Sequence, residues 1–392
     1  MPRNTPVSFE DTSIAFSSKS DKELRRMHLL FSAMSREFLT KIGTFFVKTA
    51  LNLKFPVKSV IKKRVFKQFC GGETIAECQS TIASLANYKI HTILDYAVEG
   101  EDNESSYDFT VTKILETIDL DAASEDISFS VFKVTGLAPF KLLEKIQNGE
   151  PLTSKENQEF EKVKQRIDSI CNAAAAKDVR IMVDAEESWI QGTIDALVID
   201  MMRKYNKEKA IVYNTFQMYR SDMPYNLDKA LEMAEFEKFI LGVKLVRGAY
   251  MEKERERAYD KKYSPPIFPS KEETDVAFDN ALNFCIKNIH RISICCGSHN
   301  EKSNYFLISL MEKNKMDSND DRVWFSQLYG MSDHITFNLA AAGYNVAKYV
   351  PFGPVESVMP YLFRRAEENK AVTGQGRELE MLQKEINRRG RG

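Results

Sequence analysis

Residues 210–246 read AIVYNTFQMYRSDMPYNLDKALEMAEFEKFILGVKLV, and this stretch decides the fold. The apolar run at 210–216 is long enough for a strand and too short for a helix. Residues 226–241 then place apolar side chains at helical spacing, and a second short run follows at 242–246. Strand, helix and strand in that order make one parallel crossover unit. Working outward, short apolar runs recur at 91–98, 129–134, 180–183, 292–295, 323–327 and 346–350. Longer amphipathic stretches such as 154–177 separate them, and a helical stretch at 355–369 follows the last. Eight alternations predict an α/β fold, a parallel sheet closed as a (β/α)8 barrel of TIM type, and the span of 91–369 is near the usual size of about 250 residues. An open doubly wound sheet needs a glycine-rich turn between strand and helix. No GxG stands between a strand and a helix: Gly374-Gln375-Gly376 follows a helix, and Gly390-Arg391-Gly392 lies in the charged tail.

The remaining segments are assigned around that barrel. Residues 1–20 read as an irregular arm and 21–90 as a helical extension, with its clearest helix at 73–88 after the Gly71-Gly72 break. The barrel takes 91–375, and 376–392 is a charged tail. The chain is 43% hydrophobic and 28% charged, which excludes collagen-like, mucin-like and disordered classes. With 55 basic and 56 acidic residues the net charge is −1, so no nucleic-acid partner is expected. Six cysteines without a CxxC pair indicate no zinc ribbon or redox dithiol, and they fit a cytoplasmic location. Glu10, Asp11, Asp21 and Glu23 speak against an acid-poor organellar leader. One region stands apart. Between Phe38 and Gly72 there are eight lysines and arginines and no acid, with Phe45, Phe46, Phe55 and Phe66 interleaved. Solvated helix faces account for this, and so does a basic amphipathic surface for an acidic partner or for the inner face of an anionic membrane.

In a parallel barrel, chemistry belongs at the C-terminal ends of the strands. Lys133 ends the second run, and Asp184, Glu186 and Glu187 follow the third. Gln217 and Tyr219 end the fourth. Lys244 lies inside the fifth, with Arg247 and Tyr250 after it, and Ser298, His299 and Asn300 follow the sixth. On the last helix Tyr361, Arg364, Arg365 and Glu368 fall at i, i+3, i+4 and i+7, so they share one face. Paired arginines beside an aromatic ring suit a small carboxylate or phosphate. A solvated charged face has the same spacing. A binding role requires this helix to lie over the barrel mouth rather than outside the sheet.

These residues carry a resemblance. LDYAVEG at 94–100, VDAEES at 183–188, NTFQMY at 214–219, KLVRGAY at 244–250, SHN at 298–300, QLYGM at 327–331, KYVPFGP at 348–354 and YLFRRAEEN at 361–369 keep the order found in proline dehydrogenases. The chain resembles that family over about residues 90–375. The resemblance implies a distorted barrel with FAD at its C-terminal mouth and a last helix displaced above it. By the same likeness, Arg364, Arg365 and Lys133 bind the carboxylate of L-proline, and Glu368 holds an arginine. Tyr349 and Tyr361 pack on the substrate ring, and Leu328 lines the pocket. Asp184 and Tyr250 form a polar floor near the reaction centre. Gln217, Lys244, Arg247, Gly248, Tyr250, Ser298, His299 and Asn300 face the cofactor. At Lys244 the bacterial bifunctional pattern has Arg; Lys keeps the charge but loses the planar fork.

The implied reaction takes a hydride from the ring carbon beside nitrogen to the flavin and yields 1-pyrroline-5-carboxylate. Electrons then pass to a membrane quinone or similar acceptor, and a separate pyrroline-5-carboxylate dehydrogenase consumes the product. Four other readings stand beside this one. A hydroxyproline dehydrogenase tends to carry a smaller Ser at the position of Tyr349. A methylenetetrahydrofolate reductase lacks the carboxylate clamp. A pyridoxal-phosphate barrel would use a strand-end lysine such as Lys133. A non-catalytic barrel that binds a partner through its basic helices would hold no cofactor.

Overall fold

The computed structural model describes residues 7–34, 65–98, 103–362 and 374–390. Among the described residues before the barrel are a short helix, α1 (Thr12–Ala15), and two longer ones, α2 (Asp21–Met34) and α3 (Ile75–Ala86). Asp11 caps α1, its Oδ1 accepting the Ser13 and Ile14 N–H groups, so the supposed arm contains a helical turn. Thr74 caps α3 and Glu77 donates its N–H to the Thr74 hydroxyl, which sets the start inside the expected 73–88.

Eight strands follow: β1 (His91–Tyr96), β2 (Ile127–Lys133), β3 (Ile181–Asp184), β4 (Val212–Gln217), β5 (Leu241–Val246), β6 (Ile292–Gly297), β7 (Val323–Leu328) and β8 (Val346–Phe352). They close as a parallel barrel in sequence order, as the eight apolar runs predict. Helices between strands include α4 (Glu104–Ala122), α5 (Ser154–Ala176), α6 (Ser188–Tyr205), α7 (Met223–Glu237), α8 (Met251–Lys261), α9 (Lys271–Lys287), α10 (Glu301–Lys313) and α11 (Asp333–Ala341). The helix expected at 226–241 starts and ends earlier. Pro224 in its first turn is already set for helical φ, and Lys238 turns left-handed at φ 59° and stops it. The charged segment at 376–392 is mostly helical, forming α12 (Gly374–Arg389).

The described residues form two compact units. One holds residues up to 98, 299–301 and those from 325 onward; the other holds 103–298 and 302–324. In the first, β1 pairs with β8 and β8 with β7. Its apolar cluster joins Phe16, Leu24, Met27 and Phe31 to Val355, Val358, Tyr361, Met381 and Leu382. Arg389 of α12 clasps this cluster from outside, donating to the Phe16 and Lys19 carbonyls at 2.9 and 2.8 Å. In the second unit β2 to β6 pair in order. There Phe129 meets Tyr213 and Trp324 edge-on at 5.3 and 5.4 Å between ring centres. The Arg180 guanidinium lies over the Trp324 ring at 5.6 Å, and Arg257 lies over Trp189 at 4.5 Å. All six cysteines are buried and unbridged.

Candidate active site

In the second unit the register of parallel strands gathers charge at their C-terminal ends. Lys133 and Asp184 are paired in register across β2 and β3. Lys244 sits within β5, with Leu245 and Val246 after it. The Asp184 carboxylate lies between both lysines, with Oδ1 2.5 Å from Lys244 Nζ and Oδ2 3.9 Å from Lys133 Nζ. The Lys244 side chain is 7% exposed and that of Asp184 14%. An ion pair so shielded keeps its strength and fixes its members in place.

Glu186, two residues beyond Asp184, ties three strand ends together. Its side-chain oxygens accept the Thr135 N–H at 3.0 Å and the Thr135 hydroxyl at 2.5 Å. Its backbone carbonyl accepts from Gln217 Nε2 at 2.7 Å, and its N–H donates to Gln191 Oε1 at 2.7 Å. Burial pushes the Glu186 carboxyl up to about 7 although the Thr135 bonds pull it down. The sequence reading noted Glu186 as a strand-end acid but gave it no role; its place two residues after Asp184 was the signal available. Gln217, expected at the cofactor, also serves as this brace.

Arg247 follows β5 and spends three of its donors within the protein. Nε reaches Asp275 at 2.6 Å, and the terminal nitrogens reach the Ser298 and Ser303 hydroxyls, each at 2.9 Å. Arg247 and Ser298, expected together at the cofactor, are therefore bonded to each other. Gly248 has φ 124°, and a Cβ there would stand 2.2 Å from the Tyr219 ring, so only glycine fits under that ring. Tyr250 is buried with Lys253 Nζ 5.3 Å from its ring centre.

In the first unit the His299 ring lies between two groups of the β7–α11 turn. Nδ1 is 2.9 Å from Ser332 Oγ, and the Leu328 N–H donates to Nε2 at 3.4 Å. Asn300 is half-buried beside it. Lys348, fully buried on β8, pairs with Asp333 at 2.9 Å and donates to the Met331 carbonyl at 2.5 Å. Burial alone would raise the Asp333 carboxyl, but Lys348 and Lys19 hold it below its ordinary value. Tyr349 and Tyr361 are buried, the latter within the apolar cluster. Arg364, Arg365 and Glu368 lie outside the described residues, as does most of the basic segment 38–72. Ser332 and Lys348 were given no role, although Lys348 opens the KYVPFGP stretch at 348–354 and, like Lys244, lies inside an apolar run.

Lys133, Lys244 and Arg247 bring cationic N–H donors to the strand ends, a donor type compatible with the carbonyl edge and phosphates of a flavin cofactor. Among the described residues no cluster of acids, histidines and cysteines could hold a metal.

A closed parallel barrel with ionic groups gathered at the C-terminal strand ends places the chain among the α/β-barrel enzymes. A family model described as proline dehydrogenase matches residues 78–378, and the chain belongs to that family of oxidoreductases. Proline dehydrogenase 1, mitochondrial, of Dictyostelium discoideum is 36% identical over 426 residues, covering 97% of this chain and 74% of that protein. A hydroxyproline dehydrogenase of Xenopus laevis is 31% identical over 421 residues, covering 98% and 90%. The crystal structure of proline utilization A from Bdellovibrio bacteriovorus inactivated by N-propargylglycine has a TM-score of 0.71 at 20% identity. It covers 91% of this chain, which spans 38% of that longer one.

Proposed function

We propose that the chain oxidises L-proline to 1-pyrroline-5-carboxylate with FAD bound at the strand ends, and hands the electrons to a quinone-type acceptor. The observation that carries this reading is the Asp184 carboxylate lying between Lys133 and Lys244. Lys133 binds the substrate carboxylate together with Arg364 and Arg365. Lys244, held by Asp184, faces the flavin. Tyr349 and Tyr361 pack on the substrate ring beside Leu328, with Glu368 orienting an arginine. Asp184 and Tyr250 form the polar floor near the reaction centre. Arg247, Gly248, Gln217, Ser298, His299 and Asn300 shape the cofactor side. The chemistry that FAD supplies when bound is acceptance of the hydride leaving the ring carbon beside nitrogen. The substrate amine must lose its proton before the hydride leaves, so activity rises with pH.

We place the protein in the cytoplasm with peripheral contact through residues 38–72. No described helix is long and apolar enough to cross a membrane. A separate pyrroline-5-carboxylate dehydrogenase takes the product. The test is a visible spectrum of the purified protein under nitrogen, with and without L-proline. A yellow protein bleached by proline is expected; a colourless protein, or one that proline leaves unchanged, refutes the reading. The second reading, hydroxyproline as substrate, draws on the Xenopus likeness. A higher kcat/KM for 4-hydroxyproline than for proline would move the assignment there.

A further inference from the structure

Ser332 holds a backbone conformation that serine rarely takes. It has φ 52° and ψ 42°, in the left-handed region, and it is the N-cap residue just before α11. A serine at a helix start ordinarily turns its hydroxyl onto the N–H groups of the first turn. Here no side-chain cap bond forms. The hydroxyl lies instead 2.9 Å from His299 Nδ1. Strained residues persist only where their surroundings over-determine them. Ser332 is held at every polar atom: its N–H donates to Glu378 Oε2 at 2.9 Å, and its carbonyl accepts from Ile335 N at 3.1 Å and Thr336 N at 3.2 Å. Glu378 comes from α12, more than forty residues along the chain, and is buried.

The Leu328 N–H points at His299 Nε2 from 3.4 Å, an arrangement that asks this nitrogen to accept. In the neutral ring the proton then sits on Nδ1 and is donated to Ser332 Oγ. Leu328 is the last residue of β7, and the Met331 carbonyl in the same turn is bound by Lys348.

We propose that Ser332 is a positioning residue. It forgoes helix capping to hold the His299 ring by Nδ1, and Glu378 holds Ser332, so α12 sets the geometry of the His299–Leu328 contact. The functional consequence rests on the proline dehydrogenase reading, in which His299 and Leu328 face cofactor and substrate.

Two substitutions separate this role from a merely structural one. Ser332→Gly removes the hydroxyl, yet glycine takes φ 52° without strain, so the melting temperature should hold or rise. Ser332→Asn tolerates the left-handed conformation and returns a side-chain oxygen to the ring. In protein labelled with 15N-histidine, His299 should show a protonated Nδ1 and a bare Nε2, with or without flavin. Ser332→Gly should lose that signature and raise KM for proline by about 3- to 10-fold, as for one lost hydrogen bond, with a smaller effect on kcat. Ser332→Asn should restore both in part, and Glu378→Ala should reproduce the glycine effect on the ring. A His299 signal from Nε2–H in the unaltered protein overturns the proposal. So does a Ser332→Gly protein whose ring signal and KM are unchanged. If the ring responds as stated but proline does not bleach the flavin, the brace stands and the substrate reading falls.

Discussion

Asp184 and Lys244 stand 2.5 Å apart although sixty residues separate them in the chain, and the bond joins the end of β3 to β5. Removing the carboxylate takes a counter-ion from a shielded ammonium. Asp184→Ala should lower kcat/KM for proline by about 100-fold, the scale of a charged hydrogen bond worth roughly 1.5–3 kcal/mol. Flavin affinity, read by fluorescence titration of the refilled apoprotein, should fall with it. Normal turnover and flavin affinity in this variant would remove Asp184 from the site.

Glu186 predicts a pH dependence of stability. Its carboxyl is raised from 4.5 to about 7 in the folded protein, so between these pH values the folded state binds more protons than the unfolded. This contribution is fully present below pH 4.5 and is lost as pH rises through 7. The group is buried, and the shift corresponds to an order of 3 kcal/mol. Urea titrations of Glu186→Gln against the parent should show a flatter dependence over that window. Parallel curves would show that Glu186 titrates alike in both states.

The paired arginines test the substrate assignment. Arg364→Met or Arg365→Met should reduce kcat/KM for proline by roughly 10- to 100-fold while bound flavin is kept. Pyrrolidine, which lacks the carboxylate, should be a poor substrate for the parent and lose little more in either variant. Normal proline oxidation by both variants would leave the carboxylate to be held elsewhere.

Tyr349 should favour proline over 4-hydroxyproline, since a full phenol over the ring leaves little room for a hydroxyl. Tyr349→Ser should lower kcat/KM for proline and narrow the gap between the two substrates. Steady-state kinetics with both imino acids decide this.

Strand identity was legible because buried parallel strands are short, continuous apolar runs, and 210–216 and 242–246 are of that kind. The ends of α7 were less so, because Pro224 and the left-handed Lys238 act through backbone geometry rather than through apolar spacing. Asp184, Lys133 and Lys244 could be named as strand-end groups, but their pairing depends on the register of β2, β3 and β5. Ser332 was illegible for a different reason. Its partners, His299 and Glu378, lie far from it in the chain, and no local pattern marks a hydroxyl diverted from capping.

The stacking of Arg180 on Trp324 and of Arg257 on Trp189 has a practical consequence for measurement. The chain has two tryptophans, and both belong to the same compact unit. Their fluorescence therefore reports on that unit, while far-ultraviolet circular dichroism sums over the helices of both. Coincident denaturation curves from the two signals would mean that the units unfold as one cooperative body. An earlier fall in dichroism at constant emission would mean that the unit holding α2 and α12 melts first.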